Sequence, residues 1–286
     1  MIVPFGSAGA TDIVARLIGQ WLSGRLGQSF VIAGAGGNLG IEALVRSPPD
    51  GYALAVIGLP SAINVTLYDN LSFNLTSDIE PVASVVRFPN VMVVNPSLPA
   101  ATVPEFIAYA KANPGKLNMS SPGNGSTPHV FGELFKMMTG VNMVHVPYRS
   151  VAAGLTDMLS GLVQVTFGTS ASTIEYVRAG TLRAVAVTTA KRSDALPELP
   201  TIAEFVPGYE SSFWTGVGAP KNTPTEIVDK LNDEINSALA DPKMKARLAE
   251  LGATALPGSP ADFGKFIAEE TEKWGKVVKF SGAKAD

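Results

Sequence analysis

Cysteine is absent from the 286 residues, and histidine occurs only twice, at His129 and His145. The absence of cysteine excludes disulfides and thiolate metal sites, and it suits an oxidising compartment without requiring one. Neither histidine belongs to a cluster with metal-ligand spacing. We therefore predict no metal site and no cofactor.

Charge is scarce: charged residues make up 16% of the chain, and the net charge is −3. A nucleic-acid-binding domain would show a basic patch or stripe, which this sequence lacks. Although the mean hydropathy is +0.21, no stretch approaches the ~18 unbroken apolar residues of a membrane span. Residues 1–5 show neither the basic region nor the cleavage site of a signal peptide, which leaves open a cytoplasmic protein or a mature chain.

A β-branched run, a loop of small polar residues and a helical pattern follow one another three times, and after a break three times again. In the second of these units, Phe30–Ile32 leads through "AGAGGN" into a helix predicted at Leu39–Val45. Strands that alternate with helices predict parallel sheets in two similar lobes. A long strand near 85–95 would cross between the lobes once, and the segment near 205–218 would return.

The loops of these units follow the carboxyl ends of strands, where open α/β sheets bind ligands. Each loop also precedes a helix, whose N-terminal N–H groups attract anions. Thr127 and Pro128 predict a helix start, with Thr127 as N-cap and Pro128 at N1. The stretch "AGAGGNLGIEAL" at 33–44 fails the G-x-G-x-x-G spacing, so it predicts a helix N-terminus without selecting phosphate.

Residues for catalysis are few. The sequence has no G-x-S-x-G elbow, and His145, inside an apolar run, is predicted to be a strand residue with a satisfied hydrogen bond. His129 is either a helix-end histidine or a ligand donor. Most helical carboxylates, Glu270 among them, are assigned to solvated faces. We predict that Thr11 contacts ligand and that Asp12 has a structural role at the start of the first helix.

Aromatic and basic residues leave alternatives open. Phe213 and Trp214 either line the cleft or pack the hinge. The Tyr148 phenol is placed to point into the cleft, and its neighbour Arg149 reads as a solvated guanidinium.

The order of many short motifs resembles the substrate-binding proteins of tripartite tricarboxylate transporters, the Bug family. They include "IVPFGSAGATDIVARLI", "GAGGNLG", "PPDGYAL", "GNGSTPH", "VHVPYRS" and "LPELPTIAEFVPGYE", and they cover nearly the entire chain. The resemblance implies a two-lobed, type II periplasmic-binding-protein-like α/β fold, with a mixed, mainly parallel sheet in each lobe. Lobe 1 would comprise residues 1–90 and 213–286, lobe 2 residues 91–212, with hinges near 88–95 and 205–215.

The resemblance also implies ligand contacts through backbone amides, hydroxyls and waters in the loops. By matching position, the predicted ligand-binding residues are Gly6, Ser7, Ala8, Gly9, Thr11, Gly36, Gly37, Asn38, Ser120, Ser121, Asn124, Ser126, Thr127, His129, Tyr148, Gly168, Thr169 and Ser170.

The sequence departs from the family pattern at several loops. Gly6 and Ser7 stand where Pro-Pro is common, the segment before "GAGGN" is shortened, and "YRS-VAA" replaces a Gly-Gly. Gly168 stands where the family often has Asp. We hypothesise that this glycine disfavours amino-acid ligands and opens space for a plain or bulkier carboxylate; tight amino-acid binding in calorimetry would contradict it.

We therefore expect a monomeric, non-enzymatic periplasmic protein. It would capture a small di-, tri- or aromatic carboxylate by hinge closure and deliver it to the membrane permease subunits of a tripartite transporter. It would itself neither span the membrane nor bind nucleic acid. One alternative is an enzyme acting on a carboxylic acid, with His129 as acid/base. A nucleotide-binding regulator is a more distant one.

Overall fold

The computed structural model describes residues 1–4, 10–193 and 196–285. The chain forms two compact units, one of Met1–Arg87 and Trp214–Gly275, the other of Phe88–Phe213 and Lys276–Asp286. Each unit has a mixed sheet flanked by helices, which confirms the predicted α/β class. Among the described residues, no helix is both long and apolar enough to cross a membrane.

The strands are numbered in chain order. They are β1 (Ile2–Val3), β2 (Ala33–Gly34), β3 (Ala55–Gly58), β4 (Ile79–Phe88), β5 (Asn90–Val94), β6 (Leu117–Ser121), β7 (Met143–Pro147), β8 (Val165–Thr169), β9 (Arg183–Val187), β10 (Phe213–Pro220) and β11 (Thr254–Ala255).

The helices are numbered in the same way. They are α1 (Ala10–Leu26), α2 (Gly37–Val45), α3 (Leu59–Leu67), α4 (Val103–Ala112), α5 (Thr127–Thr139), α6 (Val151–Leu159), α7 (Ser170–Arg178), α8 (Thr225–Ala240), α9 (Pro242–Glu250) and α10 (Pro260–Ser281).

Both sheets mix parallel and antiparallel pairs. The first has the order β11-β4-β10-β3-β1-β2, and the second the order β7-β6-β8-β5-β9. Strand β1 runs parallel to β2 and β3, while β10 runs antiparallel to β3. In the second sheet β6 runs parallel to β7 and β8, while β5 runs antiparallel to β8 and β9.

The second strand lies later than predicted. Ala33 and Gly34 pair with Ile2 and Val3. The segment Phe30–Ile32, although apolar and rich in β-branched residues, lies outside the strands. The amides of Ala33 and Ala35 donate to the carbonyls of Met1 and Val3, which fixes this register. Helix α2 accordingly begins at Gly37, two residues before the predicted start.

The predicted long strand near 85–95 is two strands. Strand β4 ends at Phe88 and β5 begins at Asn90, and each pairs with different partners. Pro89 separates them, because a proline cannot donate to a ladder.

Helix α5 lies close against β6 because it carries a glycine at the contact. A Cβ at Gly132 would overlap the sulfur of Met119 on β6. The apolar face of α5 is buried with Phe131 and Phe135, and the Phe135 ring contacts Phe167 of β8 at 5.6 Å between centroids. This packing fixes where α5 begins relative to the ends of β6 and β8.

Glu270 is buried, so its assignment to a solvated face is wrong. Its Oε2 accepts hydrogen bonds from the indole Nε1 atoms of Trp214 and Trp274, each at 2.8 Å. Lys273 donates to Oε1 at 2.6 Å. The carboxylate therefore ties α10 to β10, a role that helical periodicity cannot reveal because the indole partner on β10 is 56 residues away.

We predict that Glu270→Leu lowers the free energy of unfolding by roughly 2–5 kcal/mol, because two buried indole N–H groups lose their acceptor. Glu270→Gln keeps a carbonyl oxygen at this position and should cost less. Urea unfolding followed by tryptophan fluorescence measures both. The control is Glu269→Gln, a change at an exposed residue of the same helix. Equal stability of Glu270→Leu and Glu269→Gln would contradict the assignment.

Candidate functional site

The carboxyl ends of parallel strands define one loop edge in each unit. In the first unit the loops after β2 and β3 lead directly into α2 and α3. In the second unit the loops after β6, β7 and β8 lead into α5, α6 and α7. Because the strands of each set are parallel, these helix N-termini lie along the same edge of their sheet.

Side-chain capping separates these helices into two groups. Ser150 caps α6 by accepting from the Ala153 amide, and Thr169 caps α7 by accepting from Ser172. Helices α2, α3 and α5 have neither a side-chain cap nor an acidic residue in the first turn. Helix α8 also lacks a cap, but Glu226 lies in its first turn. Three N-termini at the loop edges are therefore left with partial positive charge, which attracts an anion.

In the first unit, a hydrogen bond joins the first turn of α2 to the second turn of α3, two of the helices without a side-chain cap. Asn64 on α3 donates to Asn38 Oδ1 on α2 at 2.8 Å. Gly36 is the N-cap of α2, and Gly37, at φ +49, donates to the carbonyl of Pro4 at 3.1 Å. A Cβ at Gly40 would lie 3.0 Å from the Pro4 side chain. Gly40 thus allows the close approach of α2 to β1.

Of the other predicted residues of this unit, Gly6, Ser7, Ala8 and Gly9 lie outside the described residues. Thr11 and Asp12 are buried within α1, which begins at Ala10, so they occupy the first turn and not the N-cap. Arg16 donates to Asp12 at 2.9 Å, in keeping with the structural role predicted for this carboxylate.

Sequence reasoning missed Ser61 in this unit. It follows Pro60 in the first turn of α3 and is 4% exposed. The first turns of α3 and α5 share a proline at their second position, which removes one N–H from each. The "GLPS" loop resembles "GNGSTPH" in this respect, a signal that could have identified it.

The N-cap of α5 is Ser126 and not Thr127. Ser126 is extended, at φ −63 and ψ 155, and its hydroxyl donates backwards to the Gly123 carbonyl at 2.6 Å. No amide of the helix donates to this hydroxyl, so Ser126 does not cap α5 through its side chain. Thr127 and His129 supply the N–H groups of the first turn, on either side of Pro128. Asn124 lies in the same loop, between Gly123 and Gly125.

The buried ring of His129 supports this loop through a hydrogen bond and a stacking contact. Its ring is 3% exposed, and its Nδ1 accepts from the Gly125 amide at 3.1 Å. The ring stacks on His145 of β7, with centroids 3.7 Å apart and an interplanar angle of 12°. His145 Nε2 lies 2.6 Å from Ser121 Oγ at the end of β6, as expected for a strand histidine with a hydrogen bond. The pair links the ends of β6 and β7 to the first turn of α5.

Both imidazoles are neutral at physiological pH. Burial, then His145 and Lys136, lowers the pKa of His129 to about 3. Burial and Lys136 lower the pKa of His145 to about 4. A general base near pH 7 needs a pKa near that value, so His129 does not suit the role of acid/base that the enzyme alternative gives it.

Ser120 and Ser121 are both buried at the end of β6. The Ser120 carbonyl accepts from Thr166 of β8 at 3.0 Å, and the Ser121 carbonyl accepts from the Tyr148 amide at 2.8 Å. These contacts fix the strand ends from which the loops leave.

The Tyr148 phenol is hydrogen-bonded to another side chain and does not project freely from the loop. It donates to Asp157 of α6 at 2.8 Å, and burial and this carboxylate raise its pKa to about 12. Gly154 makes room for the ring: a Cβ there would lie 3.3 Å from it.

The turn at 168–170 also leaves no free space at Gly168. A Cβ at Gly168 would lie 2.9 Å from the Thr173 methyl group, so the space expected to open there is occupied by α7. Thr169 is the N-cap of α7, and Ser170 is its first residue. Within the described residues, no group of three or more His, Asp or Glu could hold a metal ion.

We predict that His129→Gln speeds hydrogen exchange of the Gly125 amide about fivefold, because a hydrogen bond worth about 1 kcal/mol net is lost. His129→Asn places an amide oxygen near the position of Nδ1 and should retain most of the protection. Amide exchange followed by NMR measures this, with the Ala153 amide, which Ser150 caps, as an internal control. Unchanged Gly125 exchange in His129→Gln would contradict the role given to His129.

The free energy of unfolding should fall between pH 7 and pH 5. Both histidines have folded-state pKa values below 6.5, so the unfolded chain takes up protons first and the stabilisation is lost as pH falls. For His129, with a folded pKa of about 3, linkage gives a loss of roughly 2 kcal/mol at pH 5. Urea titrations at pH 7, 6 and 5 test this. The slope should be smaller in His129→Asn, and equal slopes would refute the prediction.

Comparison with known proteins identifies the family. Residues 14–282 match the family model of the tripartite tricarboxylate transporter family receptor. Protein BugT of Bordetella pertussis is 36% identical over 290 residues, which span 99% of this chain and 89% of that protein. R. palustris Rpa4515 with adipate is 40% identical at a TM-score of 0.82, over 99% of this chain and 97% of that chain.

MatC (Rpa3494) from Rhodopseudomonas palustris with bound malate is 29% identical at a TM-score of 0.78, over 97% of each chain. These proteins are similar to the present chain over nearly its full length, which confirms the resemblance that the motifs indicated. The matching family comprises periplasmic substrate-binding receptors and not enzymes. The chain belongs to the tripartite tricarboxylate transporter receptor family, which includes the Bug proteins.

Proposed function

We propose that the protein is a periplasmic receptor that captures a small di-, tri- or aromatic carboxylate. It delivers this ligand to the membrane permease subunits of a tripartite tricarboxylate-type transporter. It acts as a monomer, and loops of both units contribute contacts. Capture by hinge closure and the lobe boundaries predicted from the sequence are part of this proposal.

One observation carries the proposal: three helices begin at the loop edges without a side-chain cap and without an acid in their first turn. A carboxylate supplies what these N-termini lack, because each of its oxygens accepts hydrogen bonds and its charge suits the helix dipole. Where a side chain already caps the helix, as at α6 and α7, the same position offers less to a ligand.

The ligands of similar proteins agree with this chemistry. One solved relative holds adipate and another holds malate, and both are small carboxylates. Recognition through backbone N–H groups depends on loop geometry more than on charged side chains. This explains how the chain can bind an anion with few lysines or arginines at its loop edges.

The proposal predicts that carboxylates, and not their uncharged analogues, raise the melting temperature. A ligand at ~100 times its dissociation constant that binds only the folded state adds about 2.7 kcal/mol, enough for a shift of several degrees. The panel comprises succinate, malate, adipate, citrate, benzoate, amino acids and nucleotides at one pH and salt concentration. Adipamide serves as the matched control for adipate, since it has the same carbon chain without the charges.

A shift confined to carboxylates supports the receptor, and prolonged incubation of the bound acid should give no product. A shift with nucleotides alone would contradict the proposal. Equal shifts with adipate and adipamide would show that the open helix N-termini do not select an anion.

A further inference from the structure

Arg149 lies close to the loop that joins β6 to the N-terminus of α5. The last residues of β6 and β7, Ser121 and Pro147, are register partners, and the Tyr148 amide donates to the Ser121 carbonyl at 2.8 Å. Arg149 is the next residue, so its backbone lies close to the start of the loop that leads from Ser121 into α5.

The loop edge of the second unit has very little charge. The segments that follow its three parallel strands are residues 122–129, 148–150 and 169–172, and Arg149 is the one charged residue in them. It is exposed, and among the described residues it has no ion-pair partner. Two acids of the helices that follow these loops have other partners. Asp157 on α6 accepts from Tyr148 at 2.8 Å, and Glu133 on α5 pairs with Lys136 at 2.8 Å. Within the described residues, no acid compensates the positive charge of Arg149.

The backbone on both sides of Arg149 is anchored. Tyr148 is held through its amide and its phenol, and the Ser150 hydroxyl accepts from the Ala153 amide at 3.2 Å. The guanidinium thus projects from a short fixed segment. Because the Ser150 cap also reduces what α6 offers to an anion, the guanidinium is the group of this segment best suited to bind one.

We propose that Arg149 binds the second carboxylate of the ligand and makes the receptor selective for dicarboxylates over monocarboxylates. The inference rests on the proposed function. Open helix N-termini can hold one carboxylate group of either class and so do not distinguish them. A second carboxylate that enters the site loses water, and a guanidinium compensates this loss with paired, charge-assisted hydrogen bonds. Arg149 is thus a specificity determinant.

The test compares diacids with monoacids of the same chain length by titration calorimetry at pH 7. The pairs are adipate with hexanoate, and succinate with butyrate. Arg149→Gln removes the charge, Arg149→Lys keeps it without the planar fork, and Arg46→Gln removes an exposed arginine of the first unit as a control. Melting temperatures of all variants verify that they remain folded.

We expect the wild-type protein to bind at least one diacid more tightly than its monoacid partner. Arg149→Gln should weaken binding of that diacid at least tenfold and change the affinity for its monoacid less than twofold. Arg149→Lys should fall between, and Arg46→Gln should match the wild type. Added salt should weaken diacid binding more in the wild type than in Arg149→Gln, because exposed charges are screened.

Equal loss of both acids in Arg149→Gln, or no loss of either, would overturn the inference and leave the receptor function standing. The same holds if wild-type protein binds each monoacid as tightly as its diacid. If the wild-type protein binds none of the carboxylates of either panel, the proposed function itself fails.

Discussion

Three helix N-termini without a side-chain cap are the constraint on which the proposed site depends. Every helix leaves its first N–H groups without an intrahelical acceptor. In this chain Ser150, Thr169 and Asp241 fill that need at α6, α7 and α9. At α2, α3 and α5 no side chain does. The open helices follow parallel strands, and this topology concentrates the open N–H groups at the edges where the strands end.

A second set of contacts fixes these edges with neutral groups. The Asn38–Asn64 hydrogen bond joins the first turn of α2 to the second turn of α3 in the first unit. In the second unit, neutral His129 accepts from the Gly125 amide and stacks on His145. Burial keeps both imidazoles uncharged. They therefore position the loop and add no positive charge to it. In the proposed site, backbone dipoles attract the anion, and side chains make the loop rigid.

The sequence predicts the alternation of strands and helices well, because apolar periodicity and glycine-rich loops are local signals. His145, for example, lies in a strand with a hydrogen bond to Ser121, as its apolar setting indicates. Element boundaries are less accessible. The edge strand is Ala33–Gly34 and not Phe30–Ile32, since its register depends on pairing with Ile2 and Val3.

Long-range contacts explain the remaining differences. Glu270 occupies a helical position typical of a solvated face, yet it accepts from Trp214 on a distant strand. Gly168 suggests open space, which the Thr173 methyl group fills. At α5, Thr127 and Ser126 are both suitable N-caps in sequence, and only the backbone shows that Ser126 has that position while its hydroxyl turns to Gly123. The uncapped state of α5, on which the proposed function rests, therefore becomes visible only in the fold.

Amide chemical shifts during a titration with adipate, or with whichever carboxylate binds, test the central claim most directly. The account predicts that the largest changes occur at the first-turn amides of the uncapped helices, those of Asn38, Ser61, Thr127 and His129. The amides of Ala153 and Ser172, which Ser150 and Thr169 already cap, should move less. Largest changes at the capped helices, or at residues remote from both loop edges, would contradict the claim that open helix N-termini hold the carboxylate.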